Sequence, residues 1–247
     1  MKKILYLLLP LICIISNCQN NTSNSDFANE YNDAEYKSLF DPNRYMMPTP
    51  EGVYVPEGLI KMNILDIYNY GKRGGEFKDI IFRDEKGNII SFDTLALTKK
   101  HLFTQMYEDK VGRVVEAVSF EVNDEFKNKV LEGYMPSEPF ATAEDKASGK
   151  LKDRFNVPIF PGVYAPKGLR KLSIIEMFKL GDNGLINTPF VKKNDKGETV
   201  GEDYYTSGPG MRYMQTFVDQ EGNIKEAVIY EMTDEISALF LMMRFCK

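Results

Sequence analysis

Three cysteines, Cys13, Cys18 and Cys246, and one histidine, His101, are the side chains of this chain best able to act as nucleophiles, soft metal ligands or proton shuttles. Their spacing limits the chemistry. No Cys-x-x-Cys pair occurs, and a zinc site needs three or four sulfur or imidazole ligands close together, so no metal or other cofactor is expected. A Ser-His-Asp or Cys-His arrangement would have to use His101. Its context, "KKHLF", reads as the start of a strand and makes it a packing or surface histidine. What remains is carboxylate chemistry. Glu116 and Glu121 are the candidates for a general acid/base pair, the equipment of a glycan hydrolase. Both recur 110 residues later, as Glu226 and Glu231. A recurrence of that kind fits a duplicated scaffold, so the expectation is a protein that is not an enzyme.

The duplication extends well beyond these carboxylates. "EGVYVPEGLIKMNILDIYNYG" (51–71) returns as "PGVYAPKGLRKLSIIEMFKLG" (161–181), and the offset of 110 holds without a gap. From Gly52 to Glu125, 22 of 74 positions are identical to their mates, far more than chance gives, which identifies two tandem copies of one unit. Repeat unit 1 spans 50–159 and repeat unit 2 spans 160–247. In each copy a Pro-x-Gly turn is followed by a capping residue, Asn63 or Ser173, with Asp66 or Glu176 three positions on. This predicts short helices over "ILDIYNY" and "IIEMFKL", closed by Gly71 and Gly181. "IIFRDEKGNIISF" and "FVKKNDKGETV" read as strand-like arms around turns at Gly87 and Gly197. A longer hairpin in each copy turns at Gly112 and Gly222, where glycine supplies the positive φ. A further helix begins near Asn123 in copy one and near Thr233 in copy two. In the latter, Ile236, Leu239, Phe240 and Met243 form one apolar stripe suited to a core, with Cys246 beside it as a packed thiol. The fold class is therefore α+β: two tandem copies of a unit of antiparallel β-hairpins with short helices.

Period-2 alternation places Glu116 on the apolar face of its strand, among Val114, Val118 and Phe120. A carboxylate there needs a cation beside it. Lys61 and Lys171 recur at equivalent positions, so Lys61–Glu116 and Lys171–Glu226 are the expected structural pairs.

Charge excludes one class of partner. The chain has 31 basic and 36 acidic residues, a net charge of −5, and no basic stripe, so nucleic acid is not an expected ligand.

The start of the chain carries a different kind of chemistry. "MKKILYLLLPLICIISNC" has two lysines, an apolar run of twelve residues from Ile4 to Ile15, then Ser16, Asn17 and Cys18. The run is too short to span a bilayer and has the length of a secretory apolar core. The sequence resembles the signal peptides of bacterial lipoproteins. "IISNC" is similar to a relaxed lipobox, with Ile15 three before the cysteine and Asn17 where Gly, Ala or Ser is common. The resemblance implies a signal peptide over 1–17, lipid attachment and fatty acylation (palmitate is one such acyl group) at Cys18, and membrane anchoring in the cell envelope. Residues 18–49, beginning "QNNTSNS" after the cysteine, are polar enough to read as a flexible tether with an average span of ~30 Å. Ordinary secretion, with Cys18 bonded to Cys246 or left free, is the alternative.

A second resemblance is narrower. Residues 103–160 are similar to the C-terminal domain of the energy transducer TonB: a hairpin through Gly112, a helix, "MPSEPF", Gly149-Lys150, and a last strand "FNVPIF". The chain differs in having no tryptophan. This resemblance implies strand addition to a receptor peptide at an outer-membrane receptor. Both resemblances point to a non-enzymatic binding or structural module, partnered by the lipid bilayer and by another envelope protein.

Overall fold

A computed structural model describes residues 31–75, 79–131, 154–182, 189–206 and 210–245. The chain is α+β, with two four-stranded sheets, one from each copy. It divides into two units. The larger comprises Glu30–Pro161, Ser173–Glu176 and Glu231–Lys247, and the smaller includes Gly162–Leu172 and Met177–Tyr230. The C-terminal helix therefore groups with the first copy's sheet, not with the repeat unit 2 to which its sequence position assigns it.

In the larger unit the strands are β1 (Ile60–Lys61), β2 (Ile81–Arg83), β3 (Leu102–Glu108) and β4 (Val114–Glu121), in the order β1-β3-β4-β2. β3 and β4 form the expected antiparallel hairpin, and Gly112 in its turn has φ 78°. β2 joins β4 in parallel, so the sheet is mixed rather than purely antiparallel. The reason is the helix α2 (Ile64–Lys72), which carries the chain from one sheet edge to the other between β1 and β2.

Asn63 caps α2 through its side chain, accepting from the Asp66 amide at 2.9 Å. Gly71 does not end the helix; it lies inside it. The helix ends at Lys72, and the chain turns away two residues later at Gly74, whose φ is 75°. There the Gly75 amide donates to the Tyr70 carbonyl at 3.0 Å and the Gly74 amide to the Gly71 carbonyl at 3.1 Å, the paired bonds of a Schellman closure. Ile67 and Tyr70 of α2 pack onto Met62, Ile80, Phe82, Met106 and Ala117, the core on one face of the sheet. The turn at Gly87 forms as expected, but its second arm is not a strand. After one bridge, Arg83 to Ile89, Ser91 caps a short helix α3 (Phe92–Leu97), its hydroxyl accepting from the Thr94 amide at 3.2 Å.

On the opposite face Phe103 and Phe120 meet Phe126 of α4 (Asp124–Leu131), with ring centroids 5.4–5.5 Å apart, and Phe245 approaches Phe103 at 4.9 Å. Of the segment expected as tether, residues 31–49 are structured. Residues Asp33–Ser38 form a helix, α1, followed by a 3₁₀ turn at Pro42–Tyr45, and Leu39 and Tyr45 are wholly buried. A few apolar side chains, Leu39, Tyr45 and Met47, suffice to seat an otherwise polar segment. "FNVPIF", expected as a last strand, has no strand structure; Phe155 and Val157 are buried as irregular chain.

The smaller unit repeats the pattern with β5 (Arg170–Lys171), β6 (Val191–Asn194), β7 (Arg212–Val218) and β8 (Ile224–Glu231), ordered β5-β7-β8-β6 and with β6 parallel to β8. Helix α5 (Ile174–Asp182), whose first turn groups with the larger unit, starts with the full capping box: the Ser173 amide donates to Glu176 at 2.8 Å and the Glu176 amide to the Ser173 hydroxyl at 3.3 Å. Gly181 falls inside α5, as Gly71 falls inside α2. Helix α6 (Asp234–Arg244) buries Ile236, Leu239 and Met243 as its stripe requires, and packs in the larger unit beside α2, where Lys72 meets Asp234 at 2.6 Å.

The two glycines of α2 should respond oppositely to alanine. Gly71→Ala gains helix propensity with open space for the new methyl, and should raise stability by about 0.5–1 kcal/mol. Gly74→Ala forces a side chain into the left-handed region and should lower stability by about 1–2 kcal/mol. Urea unfolding of the two variants checks both signs.

Candidate functional site

The same four positions converge in each copy. In the larger unit Glu116 of β4 is almost buried, with 9% of its side chain exposed, and Arg83 of the parallel neighbour β2 reaches it diagonally, Nε to Oε1 at 2.8 Å. Arg83 also donates to the Gly87 carbonyl at 2.8 Å, and its guanidinium lies 5.3 Å from the centre of the Tyr54 ring. Tyr54 is tied to the turn through its amide, which donates to the Glu85 carbonyl at 2.9 Å. Its ring covers Gly87 so closely that a Cβ there would lie 2.8 Å from the ring. The glycine is required twice over, by its φ of 86° and by that ring.

In the smaller unit Lys193 replaces the arginine. Its ammonium lies 3.1 Å from Glu226 and 4.5 Å from the Tyr164 ring centre, and donates to the Tyr164 hydroxyl at 2.8 Å. The Tyr164 hydroxyl in turn donates to Glu226 at 3.3 Å. Burial pulls the Lys193 ammonium down, but these bonds outweigh it and leave its pKa above the ordinary lysine value. Gly197 sits under Tyr164, where a Cβ would lie 2.7 Å from the ring.

These contacts correct the expected pairs. Each carboxylate on the buried face does have a cation, but it comes from β2 or β6. Glu116 pairs with Arg83 rather than Lys61, and Glu226 is met by Lys193. Register explains the difference. Lys61 is opposite Tyr107 on β3, and Tyr107 is opposite Glu116 on β4, so a whole strand separates lysine from carboxylate. Lys61 instead donates to the Met47 carbonyl and the Thr49 hydroxyl, both at 2.6 Å, and burial lowers its pKa. Tyr107, between them, is pushed up to about 12 by burial and by the Glu116 charge, against a hydrogen bond with Thr49. In the sequence the signal for the true cation was present but degenerate: the 110-residue offset matches Arg83 to Lys193, a charge kept while the residue changed.

Glu116 and Glu121 do not form an acid/base pair. They are five residues apart on one strand with regular pairing between them, so they point to opposite faces. Glu121 is half exposed and meets Lys100 at 2.6 Å. It borders a cleft of about 370 Å³, also lined by Glu51, Glu85, Lys86 and Glu125 and roofed by the Pro50–Val53 turn. Glu125 is held by Lys129 at 2.8 Å. An acidic mouth of this size can attract cations weakly; it brings no nucleophile against a base. His101 is exposed and stacks on Phe245, centroids 5.9 Å apart. Among the described residues no group of three or more His, Cys, Asp or Glu could hold a metal. Cys13, Cys18 and Cys246 lie outside the described residues, as do "MPSEPF" and Gly149-Lys150.

No family model, curated protein or solved structure matches the chain. The class that fold and site define is thus a duplicated α+β unit, each copy carrying a tyrosine-covered cation–carboxylate cluster.

The clusters should behave as parts of the scaffold. Arg83→Met leaves Glu116 nearly buried without its ion-pair partner and should lower stability by about 2–3 kcal/mol, less than a fully buried break because the arginine is partly exposed. Arg83→Lys reproduces the second copy's arrangement and should lower it by under ~1 kcal/mol. Equal losses in thermal unfolding would refute the ion-pair reading.

Proposed function

We propose that the chain is an envelope lipoprotein, held on a bilayer through acylated Cys18 and working as a non-enzymatic binding or structural module toward another envelope protein. The observation that carries this reading is the order of residues from Lys2 to Cys18: a basic start, an apolar run of twelve, and "IISNC". Each buried methylene contributes ~0.8 kcal/mol, so several acyl chains anchor where one would be marginal. The acidic net charge of −5 gives no attraction to anionic headgroups, and no helix among the described residues is long and apolar enough to cross a membrane.

The non-enzymatic part rests on where the recurring carboxylates go. Glu116 and Glu226 are engaged by cations inside their own sheets, as a scaffold role requires. Strand addition of the TonB kind is the less favoured form of binding. The sheet edges, β1, β2, β5 and β6, are two to four residues long and give an incoming peptide little to pair with.

Expression of the whole chain in a bacterium that processes lipoproteins, followed by fractionation and mass spectrometry, tests the anchor. The mature protein should begin at Cys18, carry a diacylglyceryl thioether and an amide-linked acyl chain, and pellet with membranes; Cys18→Ser should lose the acyl mass. A wild-type chain with unmodified Cys18, or a serine variant with unchanged lipid content, would contradict the reading.

A further inference from the structure

Tyr36 is the hub of an aromatic cluster at the first described residues of the chain. Its ring centre lies 5.8 Å from Tyr31, 5.2 Å from Phe40 and 5.4 Å from Phe160. Two of these large side chains face solvent: Tyr31 is 43% exposed and Phe40 51%. The ground beneath them is fixed. Leu39 and Tyr45 are wholly buried, and the Tyr45 hydroxyl donates to the Leu39 carbonyl at 2.5 Å. Arg44 donates to the carbonyls of Arg154 at 2.8 Å and Asn156 at 2.5 Å, and the Asn156 amide group donates to Glu35 at 2.8 Å. Contiguous exposed aromatic rings on a buried, hydrogen-bonded base are the kind of patch that marks a contact surface.

Chain length identifies the contact. Twelve residues separate Cys18 from Tyr31, so even fully extended chain cannot carry Tyr31 more than about 45 Å from the lipid-bearing sulfur. Confinement on that scale raises the effective concentration of the bilayer at the cluster to the millimolar range, where weak contacts are populated. The rings are of the kind that settles at a membrane–water interface, with apolar bodies and, in tyrosine, a polar tip. No surplus of cations surrounds the rings. Lys37 meets Asp33 at 2.7 Å and the Tyr31 hydroxyl donates to Asp33 at 3.0 Å, so the surface needs no anionic lipid.

We propose that Tyr31, Tyr36, Phe40 and Phe160 form a bilayer seat, inserting into the interfacial layer of the membrane that holds acylated Cys18 and orienting the larger unit on it. The inference rests on the lipoprotein reading and goes beyond it, because an anchor alone leaves the body free to tumble at the end of its leash.

The chain has no tryptophan, so a single introduced one is a clean reporter. The full, acylated chain carrying Phe40→Trp, or Tyr31→Trp as an independent second reporter, is reconstituted in zwitterionic phosphatidylcholine vesicles brominated at the upper acyl carbons. Val111→Trp, at a 76% exposed position in the β3–β4 turn, is the comparison. The Phe40 and Tyr31 reporters should shift to the blue and lose roughly half their intensity or more, as expected for side chains ~5–10 Å into the interface, while the Val111 reporter stays unquenched. Quenching of all three alike, or of none, overturns the seat. The mass of the N-terminal peptide from the same sample separates the two levels: acylated Cys18 with unquenched reporters removes the seat alone, and unmodified Cys18 removes the anchor and the seat with it.

Discussion

Each sheet carries a carboxylate on a buried face, and the cation that meets it comes from the parallel edge strand. Glu116 meets Arg83 and Glu226 meets Lys193, each across the same diagonal of two parallel strands. A nearly buried carboxylate without a partner is strongly destabilising, so β2 and β6 must dock in a register that delivers the charge. The rest of the local structure follows from that register. The turn after each edge strand folds back under Tyr54 or Tyr164, a glycine is needed beneath the ring, and the Gly-Val-Tyr segment is drawn in to cover the pair. This is a physical reason for the most recognisable repeated residues, "GVY" and "KG", to recur together.

The second copy shows which details of the cluster are variable. Lysine serves for arginine, with the tyrosine hydroxyl completing the network. Phe217 stands where Tyr107 does, and Tyr213 where Phe103 does. The last exchange has a visible consequence. The Tyr213 hydroxyl donates to Gln215 Oε1, whereas Oε1 of the equivalent Gln105, equally buried, has no partner because phenylalanine offers no hydroxyl. In return the first copy's phenylalanine joins Phe120, Phe126 and Phe245 in an aromatic group.

Much of this was legible from the residues. The 110-residue offset gave the two units, alternation put Glu116 on a buried face, and the Ser173–Glu176 spacing announced a capping box. The misreadings have distinct physical causes. Gly71 looked like a helix stop because glycine is disfavoured in helices, yet closure depends on the residue that takes positive φ, which is Gly74. Lys61 looked like the partner of Glu116 because sequence recurrence carries no strand order, and β3 lies between them. Residues 31–49 looked like tether because average polarity hides a few well-placed apolar side chains such as Leu39 and Tyr45. The grouping of α6 with the first copy's sheet has no signature in the repeat at all.

The recurring charges form a structural partnership in both copies. A pair of double-mutant cycles, Arg83→Met with Glu116→Gln and Lys193→Met with Glu226→Gln, measures it most directly. A favourable coupling of roughly 1–3 kcal/mol is expected in each cycle. Single changes that add within about 0.5 kcal/mol in both cycles would contradict it, and would return these carboxylates to the list of groups free to do chemistry.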